Sequence, residues 1–291
     1  MPRESYVNGR YVPHAEAAVH IEDRGYQFAD GVYEVVTVCD GALVDEAPHL
    51  DRLERSLAEL RIPMPMSRTA LKLITREILR RNRVTRGVVY MQVTRGVARR
   101  DHKFPKAARP ALVVSAWQTK PHGAALLADG AKVITLPDIR WERCDIKSVS
   151  LLPNVLAKQA AVEAGAYEAW QVDAEGMVTE GSSTNAWIVT GDRKVVTRAA
   201  SPAILNGITR LSLIRLIESE GYDLEERAFN VEEAKAAHEA FITSSSSFVL
   251  PVTQIDDTPV GNGHPGMLTG KLRQLYLDYM AGDGGRTGGR A

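Results

Sequence analysis

A lysine in an apolar setting is the first residue of this sequence that could do chemistry. Lys147 lies between Ile146 and Ser148, and the stretch continues with apolar residues up to Leu152. A lysine among such neighbours can keep its stem in the core and its ammonium in water. A buried amine can instead act as the nucleophile of Schiff-base chemistry. The residues around Lys147 are compatible with both interpretations.

A carboxylate, Glu180, comes just before a run of small polar residues. This run, Gly181–Asn185, separates Glu180 from the apolar residues Ala186–Val189. Such a pattern is compatible with a polar turn between two strands. A carboxylate beside many hydrogen-bond donors is also suited to hold the nitrogen of a heterocycle and its polar substituents.

Two further segments have the composition of anion-binding sites. Leu205–Arg210 runs into a predicted helix N-terminus, where N–H groups and the helix dipole attract anions, and Gly207 would let a ligand approach the backbone. Ser244–Ser247 follows a predicted buried strand. Helix capping and an ordinary loop are the simpler interpretations of these segments. Neither a GxGxxG nor a GxxxxGK[ST] motif occurs, so the sequence offers no dinucleotide or nucleoside triphosphate fingerprint.

A basic loop is predicted after the strand Gly87–Thr94. Arg100 and His102 lie two residues apart in it, and side chains of these types can both donate to one carboxylate. A solvated surface loop is the simpler interpretation of this segment.

Taken together and in order, these segments resemble the fold-type IV pyridoxal-phosphate (PLP) enzymes, and among them the D-amino-acid aminotransferases. The resemblance extends from about Tyr6 to Met280. The motifs that carry it are Asp23-Arg24-Gly25, Phe28–Glu34, His49–Leu53, Arg100-Asp101-His102, Asp145–Ser148 with Asn154 and Lys158, Thr179–Asn185, Ile204–Arg210 and Thr243-Ser244-Ser245. Each motif is weak alone, whereas their joint order and spacing is specific.

The resemblance implies a role for each segment. Lys147 would form the internal aldimine with PLP and move the proton between substrate and cofactor, and Glu180 would pair with the pyridine nitrogen. The other residues implied to hold the cofactor are Arg52, Ser183, Leu205, Ile208, Thr209, Ser244 and Ser245. The residues implied to bind the substrate are Tyr33, Val35, Arg100 and His102. Ser245 departs from the family, where threonine is common, but it offers the same hydroxyl and N–H.

The implied activity is transamination of D-amino acids such as D-alanine, with 2-oxoglutarate or pyruvate as acceptor. In the family the arginine and the histidine reach in from the neighbouring subunit, so a homodimer is also implied. A branched-chain aminotransferase and an aminodeoxychorismate lyase of the same fold are alternatives, as is activity on (R)-amines. A non-catalytic PLP-binding protein is a further alternative, against which the presence of Lys147 and Glu180 argues.

The elements predicted in the first half form a small α/β domain over residues 1–119. Asn8-Gly9 indicates a hairpin, and Val32–Val38 reads as a strand with Tyr33 and Val35 on one face. Apolar residues at helical spacing predict a helix over His49–Leu60, and Ser67 is suited to cap the next helix. Further strands are predicted at Gly87–Thr94 and Ala111–Trp117.

The second half is predicted to be a larger mixed domain over residues 124–281, with a disordered tail at 282–291. Strands are predicted at Lys132–Leu136, Tyr167–Asp173, Thr184–Thr190, Lys194–Thr197 and Phe241–Thr243. Helices are predicted at Val155–Ala164 with Asn154 as its cap, Ile208–Ser219, Ala234–His238 and Leu268–Met280. With the resemblance, the fold class is α+β, in two domains, the second a mixed β-barrel-like one.

The composition excludes several classes of protein. Charged residues make up 25% and hydrophobic residues 44% of 291 residues, and the formal net charge is zero, so neither nucleic acid nor a membrane surface is indicated as a partner. No apolar run approaches the roughly 20 residues of a transmembrane helix, and no secretory signal is recognisable. The cysteines, Cys39 and Cys144, are too few for a disulfide framework, which favours the cytoplasm. No metal site is predicted.

Overall fold

The computed structural model describes residues 3–282 and 286–287. The chain divides into two compact units, and each is built from separate stretches of sequence. Unit 1 takes in Met1–Lys120, Ile146–Ser150 and Met280–Ala291, and unit 2 takes in Pro121–Asp145 and Leu151–Tyr279. The short stretch Ile146–Ser150, which contains Lys147, therefore belongs with the N-terminal unit although the residues on either side of it do not.

Strands and helices are interspersed along the chain. The strands are β1 (Glu4–Val7), β2 (Arg10–Pro13), β3 (Gly31–Cys39), β4 (Ala42–Val44), β5 (Gly87–Thr94), β6 (Ala111–Gln118), β7 (Ala131–Pro137), β8 (Glu168–Val172), β9 (Val178–Gly181), β10 (Asn185–Val189), β11 (Val195–Thr197), β12 (Leu224–Glu226), β13 (Glu239–Ser244), β14 (Phe248–Ile255), β15 (Thr258–Pro259) and β16 (Arg286–Thr287). The helices are α1 (Arg24–Phe28), α2 (Glu46–Glu59), α3 (Arg68–Asn82), α4 (Ala124–Asp129), α5 (Leu152–Glu163), α6 (Ile208–Ser219), α7 (Val231–Lys235) and α8 (Met267–Ala281), and His14–Glu16 forms a 3-10 turn.

Unit 1 contains an antiparallel sheet with the strand order β16-β4-β3-β5-β6-β1-β2. The predicted hairpin is confirmed: Asn8 and Gly9 both have positive φ, which the tight turn between β1 and β2 requires. Apolar residues of α2 and α3 pack with the sheet in one core, which includes Leu53, Leu71 and Val89. The helix predicted over His49–Leu60 is therefore confirmed, although α2 starts three residues earlier.

The alternation predicted for β3 is also confirmed. Val32, Val36 and Val38 are buried, whereas Tyr33 and Val35 are half-buried. Glu34 shares the inward face and is completely buried. Its carboxylate accepts hydrogen bonds from His49 Nδ1 at 2.7 Å and from Arg52 Nε and Nη2 at 2.8 and 2.7 Å. A buried carboxylate needs such partners because an unpaired charge in a core is very costly.

Unit 2 contains a mixed sheet with the strand order β12-β11-β10-β13-β14-β7-β8-β9, and β15 pairs with β14. β7 runs parallel to both of its neighbours, and β11 runs parallel to β12, while the other pairs are antiparallel. Ala186 and Ile188 of β10 lie in the same core as Ile242 of β13 and Leu250 of β14. The predicted helix Ile208–Ser219 coincides with α6.

Two local predictions in the second half are wrong. Asn154 does not cap α5, which begins at Leu152 with proline in its first turn, so Asn154 already lies inside the helix. Its amide instead donates to the carbonyl of Ser182 at 2.8 Å. The helix predicted at Ala234–His238 is instead α7, Val231–Lys235, which starts three residues earlier because Asn230 accepts a hydrogen bond from the N–H of Glu233 and caps it.

The predicted domain boundaries, 1–119 and 124–281, stay predictions. The predicted disordered tail at 282–291 lies largely outside the described residues, and of it Arg286 and Thr287 pair with β4. None of the helices in the described ranges is long and apolar enough to cross a membrane.

The buried carboxylate of Glu34 makes a prediction about acid stability. Burial alone would raise the pKa of Glu34, but the charge and hydrogen bonds of Arg52, together with His49, lower it to about 2 from 4.5. A carboxyl group whose pKa is lowered by folding stabilises the protein above its ordinary pKa, and this contribution is lost as the pH falls from about 4.5 towards 2. That shift corresponds to roughly 3 kcal/mol. Glu34→Gln should therefore lower the free energy of unfolding in urea by about 3 kcal/mol at pH 7, and by clearly less at pH 3.

Glu77→Gln is the matched control. The pKa of Glu77 is also lowered, through hydrogen bonds from Arg80 and Arg81, but the group lies at the surface of α3, where its side chain is 29% exposed. Water and salt screen exposed ion pairs, so this variant should change the free energy of unfolding little at either pH. A loss for Glu34→Gln that is the same at pH 7 and pH 3 would contradict the assignment of the effect to this carboxylate.

Candidate active site

Lys147 is fixed through its backbone to β3. The N–H of Tyr33 donates to the carbonyl of Lys147 at 3.0 Å, and the N–H of Val149 donates to the carbonyl of Gly31 at 3.1 Å. The N–H of Lys147 itself donates to Ser56 Oγ of α2 at 3.3 Å. The segment Ile146–Ser150 therefore lies beside β3 like a short extra strand, and Ser148 forms an antiparallel β-bridge with Val32. This arrangement gives the lysine a defined backbone position within unit 1.

The ammonium of Lys147 lies against an aromatic face. The side chain is half-buried, and Nζ is 4.3 Å from the ring centroid of Tyr33, a cation–π distance. Tyr33 in turn stacks on Tyr90 of β5, with ring centroids 5.7 Å apart. The structure therefore brings two of the predicted residues, Lys147 and Tyr33, into contact.

Tyr90 was missed by the sequence analysis. It pairs across the sheet with Val35 and donates through its hydroxyl to Gln92, and burial raises the pKa of Tyr90 to about 12. The alternation of β3 and β5 could have revealed it, because Tyr90 and Gln92 belong to the same face as Tyr33 and Val35. Placing Tyr90 beside Tyr33 also requires knowing that β3 pairs with β5 and in which register. These strands are distant along the chain, so a single sequence does not reveal that pairing.

Arg52, predicted to hold the phosphate, lies on α2 with only 9% of its surface exposed. The two bonds to Glu34 are bidentate and fix the plane of the guanidinium. His49, one turn earlier on the same helix, donates to the same carboxylate, and burial lowers the pKa of His49 although the bond to Glu34 opposes this. Glu34 therefore fixes the orientation of the Arg52 guanidinium. The role of Arg52 in binding the phosphate of the cofactor stays a prediction.

Arg100 and His102 lie on the exposed loop that follows β5, around the ring of Phe28. The guanidinium of Arg100 is 4.6 Å from the ring centroid of Phe28, and the ring of His102 is 5.4 Å from it. Within the ranges that the structure describes, no hydrogen bond or ring contact joins Tyr33 to Arg100 or His102. Within the described part of one chain, Tyr33 therefore makes no direct contact with Arg100 or His102.

Glu180 is the buried centre of a network in unit 2. Its Oε1 accepts from the N–H of Leu205 at 3.0 Å and from Arg140 Nη1, and its Oε2 accepts from Asn185 Nδ2 at 3.0 Å. Asn185 also donates to the carbonyl of Leu205 at 2.9 Å. Glu180 and Leu205, both predicted to contact the cofactor, are therefore held together, and Glu180 lies in β9 rather than in a free turn.

Arg140 is the second residue that the sequence analysis missed. It donates to Asp138 through Nε at 2.9 Å and Nη2 at 2.6 Å, as well as to Glu180 and to the hydroxyl of Thr179 at 3.1 Å. Burial raises the pKa of Asp138, but the hydrogen bonds from Arg140 outweigh this and lower it below its ordinary value. One buried guanidinium thus compensates two carboxylates. Arg140 and Glu180 are forty residues apart, so only the fold reveals this pairing.

Ser183 is held by a third carboxylate that the sequence analysis did not single out. Glu168 is completely buried at the start of β8 and accepts hydrogen bonds from the backbone or hydroxyl groups of Ala169, Ser182, Ser183 and Thr184. It therefore shapes the turn that joins β9 to β10. Ser183 itself is exposed. Its predicted contact with the cofactor stays a prediction.

The predicted anion site at Ile208 and Thr209 is the first turn of α6. Gly207 occupies the N-cap position, and in this described part of the chain no side chain caps the helix. A Cβ on Gly207 would lie 2.2 Å from Asn185 Oδ1, so glycine is needed where the two segments meet. Ile208 and Thr209 are buried. An uncapped helix N-terminus is suited to an anion because its N–H groups and dipole both point to it.

Ser244 and Ser245 begin the tight turn between β13 and β14. The hydroxyl of Ser244 accepts from the N–H groups of Ser246 and Ser247 at 3.3 and 3.0 Å. The turn is also held from outside, because Tyr167 and Ser247 share a hydrogen bond of 2.8 Å and His122 Nε2 donates to the carbonyl of Ser246 at 3.0 Å. Among the residues described, no group of three or more His, Cys, Asp or Glu is placed to hold a metal ion.

The comparisons with known proteins agree with one another on the family. The family model described as amino-transferase class IV matches residues 31–255. A D-alanine aminotransferase of Bacillus licheniformis is 40% identical over 281 residues, which cover 96% of this chain and 98% of that relative. A D-alanine aminotransferase of Staphylococcus aureus (strain MSSA476) is 38% identical over 275 residues, covering 94% and 97% of the two chains.

A solved structure of similar fold is that of a T.th. branched-chain amino acid aminotransferase with pyridoxamine 5'-phosphate. It superposes with a TM-score of 0.88 at 27% identity and covers 96% of this chain and 94% of that one. The predicted two-domain fold-type IV class is thereby confirmed, as is PLP as the cofactor of the family. This chain belongs to the class IV aminotransferases.

Proposed function

We propose that this enzyme transfers the amino group of D-amino acids such as D-alanine to a 2-oxo acid, 2-oxoglutarate or pyruvate. The observation that carries the proposal is the 40% identity to a D-alanine aminotransferase, which extends over 96% of this chain and 98% of that relative. Tyr33, Arg100 and His102 supply a phenol, a guanidinium and an imidazole for the substrate carboxylate. These are donor types that hold both oxygens of a carboxylate.

A branched-chain aminotransferase is the second candidate, and the TM-score of 0.88 to such an enzyme favours it. The identity there is only 27%, however, and one fold supports several substrates because specificity depends on particular side chains. The higher identity to the D-alanine aminotransferases therefore decides between the two.

The residues present fit PLP by the chemistry of their donors. Unit 2 supplies a buried carboxylate for a ring nitrogen, Glu180, and two sets of N–H and hydroxyl donors for a phosphate, at Ile208-Thr209 and Ser244-Ser245. Unit 1 supplies a primary amine, Lys147, and the preset guanidinium of Arg52. We propose these residues as the cofactor ligands, with Leu205 packing on the ring and Ser183 as a further donor.

When bound, PLP supplies an electron sink that stabilises negative charge at the substrate Cα. Lys147 Nζ would take the proton from the substrate Cα and pass it to the cofactor within the same half-reaction, and it would carry a proton in the opposite direction when the 2-oxo acid is converted to the new amino acid. Its fixed backbone and the face of Tyr33 keep the amine in one orientation between these transfers. Glu180 would direct its negative charge at the ring nitrogen, and Arg140, Asn185 and the N–H of Leu205 hold both of its carboxylate oxygens in place.

We further infer that the enzyme acts as a homodimer in which Arg100 and His102 bind the substrate carboxylate in the neighbouring subunit, beside its Tyr33 and Val35. The separation of these residues within one chain supports this. The helix α5 supports it as well: Leu152, Val155 and Leu156 are 77%, 58% and 62% exposed at helical spacing, and such an apolar stripe typically marks an interface. The two thiols, Cys39 and Cys144, are free, in keeping with a cytoplasmic enzyme.

A substrate panel tests the function. Purified enzyme is given D- and L-alanine and D- and L-leucine with each of the two acceptors, and in a separate assay aminodeoxychorismate alone, and the products are measured. We expect turnover of D-alanine and little of either L-amino acid. A preference for L-leucine would instead identify a branched-chain aminotransferase, and release of pyruvate from aminodeoxychorismate would identify a lyase.

Lys147→Ala should abolish both the visible absorption of covalently bound PLP and the transamination of D-alanine, because no other group in the proposed set is a primary amine. Lys271→Ala is the control, since Lys271 is exposed on α8. Absorption and kinetic assays on both variants provide the measurement. Wild-type turnover by Lys147→Ala would contradict the assignment.

Glu180→Gln should still bind PLP but should transaminate more slowly by about 100-fold, the order of effect expected from the loss of one charge that stabilises the transition state. Cofactor content and the rate of D-alanine turnover are measured together. Glu175→Gln, in an exposed turn of the same unit, is the control. If Glu180→Gln turned over at the wild-type rate, Glu180 would be only a structural residue of β9.

Gly207→Ala should weaken PLP binding by about tenfold. The backbone of Gly207 (φ −64°, ψ 139°) suits alanine, so the expected loss comes from the clash with Asn185 Oδ1, which would shift the first turn of α6, where the phosphate is proposed to bind. Equilibrium dialysis of PLP against the cofactor-free protein measures the affinity. Gly270→Ala is the control, because nothing lies within 4 Å of its added Cβ. Unchanged affinity would mean that Asn185 can move without consequence.

A further inference from the structure

A buried arginine holds the exposed loop that carries Arg100 and His102. Arg24 is 3% exposed, at the start of α1. Its Nη1 donates to the carbonyl of Asp101 at 2.6 Å, and its Nη2 reaches the carbonyl of His102 at 3.5 Å. The two carbonyls belong to the residues on either side of the peptide bond that follows Asp101, so the contacts restrain the backbone between Arg100 and His102.

The guanidinium of Arg24 is itself oriented by an acidic partner. Its Nε donates to Asp30 Oδ2 at 2.8 Å, and Asp30 also accepts from Arg95 Nε and Nη2 at 2.7 and 3.0 Å. Arg95 is buried as well and donates to the carbonyl of Leu60 at 2.8 Å. The planar fork of an arginine makes such bonds in fixed directions. The Asp30 carboxylate therefore determines where the remaining donors of Arg24 point.

The side chains of the loop meet the same arginine through one aromatic ring. The ring of Phe28 has the guanidinium of Arg24 at 4.7 Å and that of Arg100 at 4.6 Å from its centroid, and the His102 ring at 5.4 Å. Cation–π contacts are weaker in water than in a protected site but remain directional. Phe28 thus gives Arg100 and His102 a common support that is anchored outside the loop.

The flanks of the loop are fixed too. The N–H of Ala98 donates to the carbonyl of Glu22 at 3.2 Å, and Val97 forms a bridge with Asp23. On the far side, Phe104 has the guanidiniums of Arg95 and Arg61 at 3.7 and 4.8 Å from its ring centroid. An exposed loop without strand or helix is therefore ordered in one conformation by charged residues beneath it.

We propose that Arg24 is a positioning residue for the substrate carboxylate: with Phe28 it presets the loop so that Arg100 and His102 are in place before the substrate arrives. The proposal rests on the proposed function, in which these two residues bind the carboxylate. Ordering a loop at the moment of binding costs conformational entropy, and a preset loop avoids this cost. Arg24 acts through the loop and does not itself touch the substrate.

The test is the variant Arg24→Lys. Lysine keeps the positive charge beside Asp30, but a single ammonium cannot reproduce the fork that reaches Asp30 and the Asp101 carbonyl together. We expect KM for D-alanine to rise about tenfold while kcat changes by less than about threefold, a loss of roughly 1.4 kcal/mol in binding alone. The inhibition constant of propionate, which offers only a carboxylate and a short chain, should rise by the same factor.

Three further variants complete the experiment. Phe28→Leu should also raise both constants, because it removes the ring that supports Arg100 and His102, and it decides the question if Arg24→Lys does not fold. Arg100→Ala should raise KM for D-alanine and the inhibition constant of propionate by a larger factor than Arg24→Lys does. Arg81→Lys is the matched control: Arg81 also donates to carboxylates, Glu4 and Glu77, and lies over an aromatic ring, Tyr11, but it belongs to α3 and not to the support of this loop, so it should leave both constants unchanged. Light scattering and bound-PLP absorption at wild-type values will show that Arg24→Lys remains folded and loaded with cofactor.

The outcomes separate this proposal from the proposed function. A wild-type enzyme that binds propionate in calorimetry but does not transaminate D-alanine would overturn the proposed function, and the propionate affinity of Arg24→Lys would still test the loop. Wild-type constants in Arg24→Lys and Phe28→Leu would overturn the positioning role. So would a fall in kcat at constant KM, because it would place the effect on proton transfer rather than on carboxylate binding.

Discussion

Three charged side chains on which the proposed chemistry depends are each held by the pairing of a buried guanidinium with a carboxylate. Glu34 orients Arg52, Asp30 orients Arg24, and Arg140 compensates Glu180. Ions removed from water are tolerated only with partners of good geometry, and replacing such pairs by apolar residues often stabilises a protein. These ion pairs are therefore better explained by the need to orient side chains than by a gain in stability. A bidentate pair fixes the plane of a guanidinium, which apolar packing does not do.

The sequence was informative wherever the relevant physics is local. Periodicity predicted β3 and α6, the Asn8-Gly9 turn predicted the first hairpin, and Ser67 caps α3 as expected. The motif order led to the right family, because lysine, carboxylate and phosphate-binding segments occur at specific separations. Asn154 was misread for a local reason: the proline just before it allowed the helix to start earlier than the cap pattern suggested.

The supporting residues could not be predicted, because their partners are distant in sequence. Arg140 finds Glu180 forty positions later, Glu168 meets Ser182–Thr184 only when β8 and β9 have paired, and Tyr90 reaches Tyr33 through the register of β3 and β5. Each of these residues reads in the sequence as an ordinary charged or aromatic residue. The role of each residue comes from a partner that is distant in sequence, so it cannot be inferred from the neighbouring residues alone.

The membership of Ile146–Ser150 in the N-terminal unit has a consequence for how the enzyme must be made. During synthesis, β3 has left the ribosome long before Lys147 arrives to pair beside it, so the proposed catalytic amine is placed late and by a long-range contact. Neither unit is one continuous piece of chain, and a fragment ending at Lys120 would lack its own edge segment. Splitting this enzyme at the apparent boundary would therefore divide the unit that fixes the lysine, and a circular permutant opened elsewhere is the better way to rearrange it.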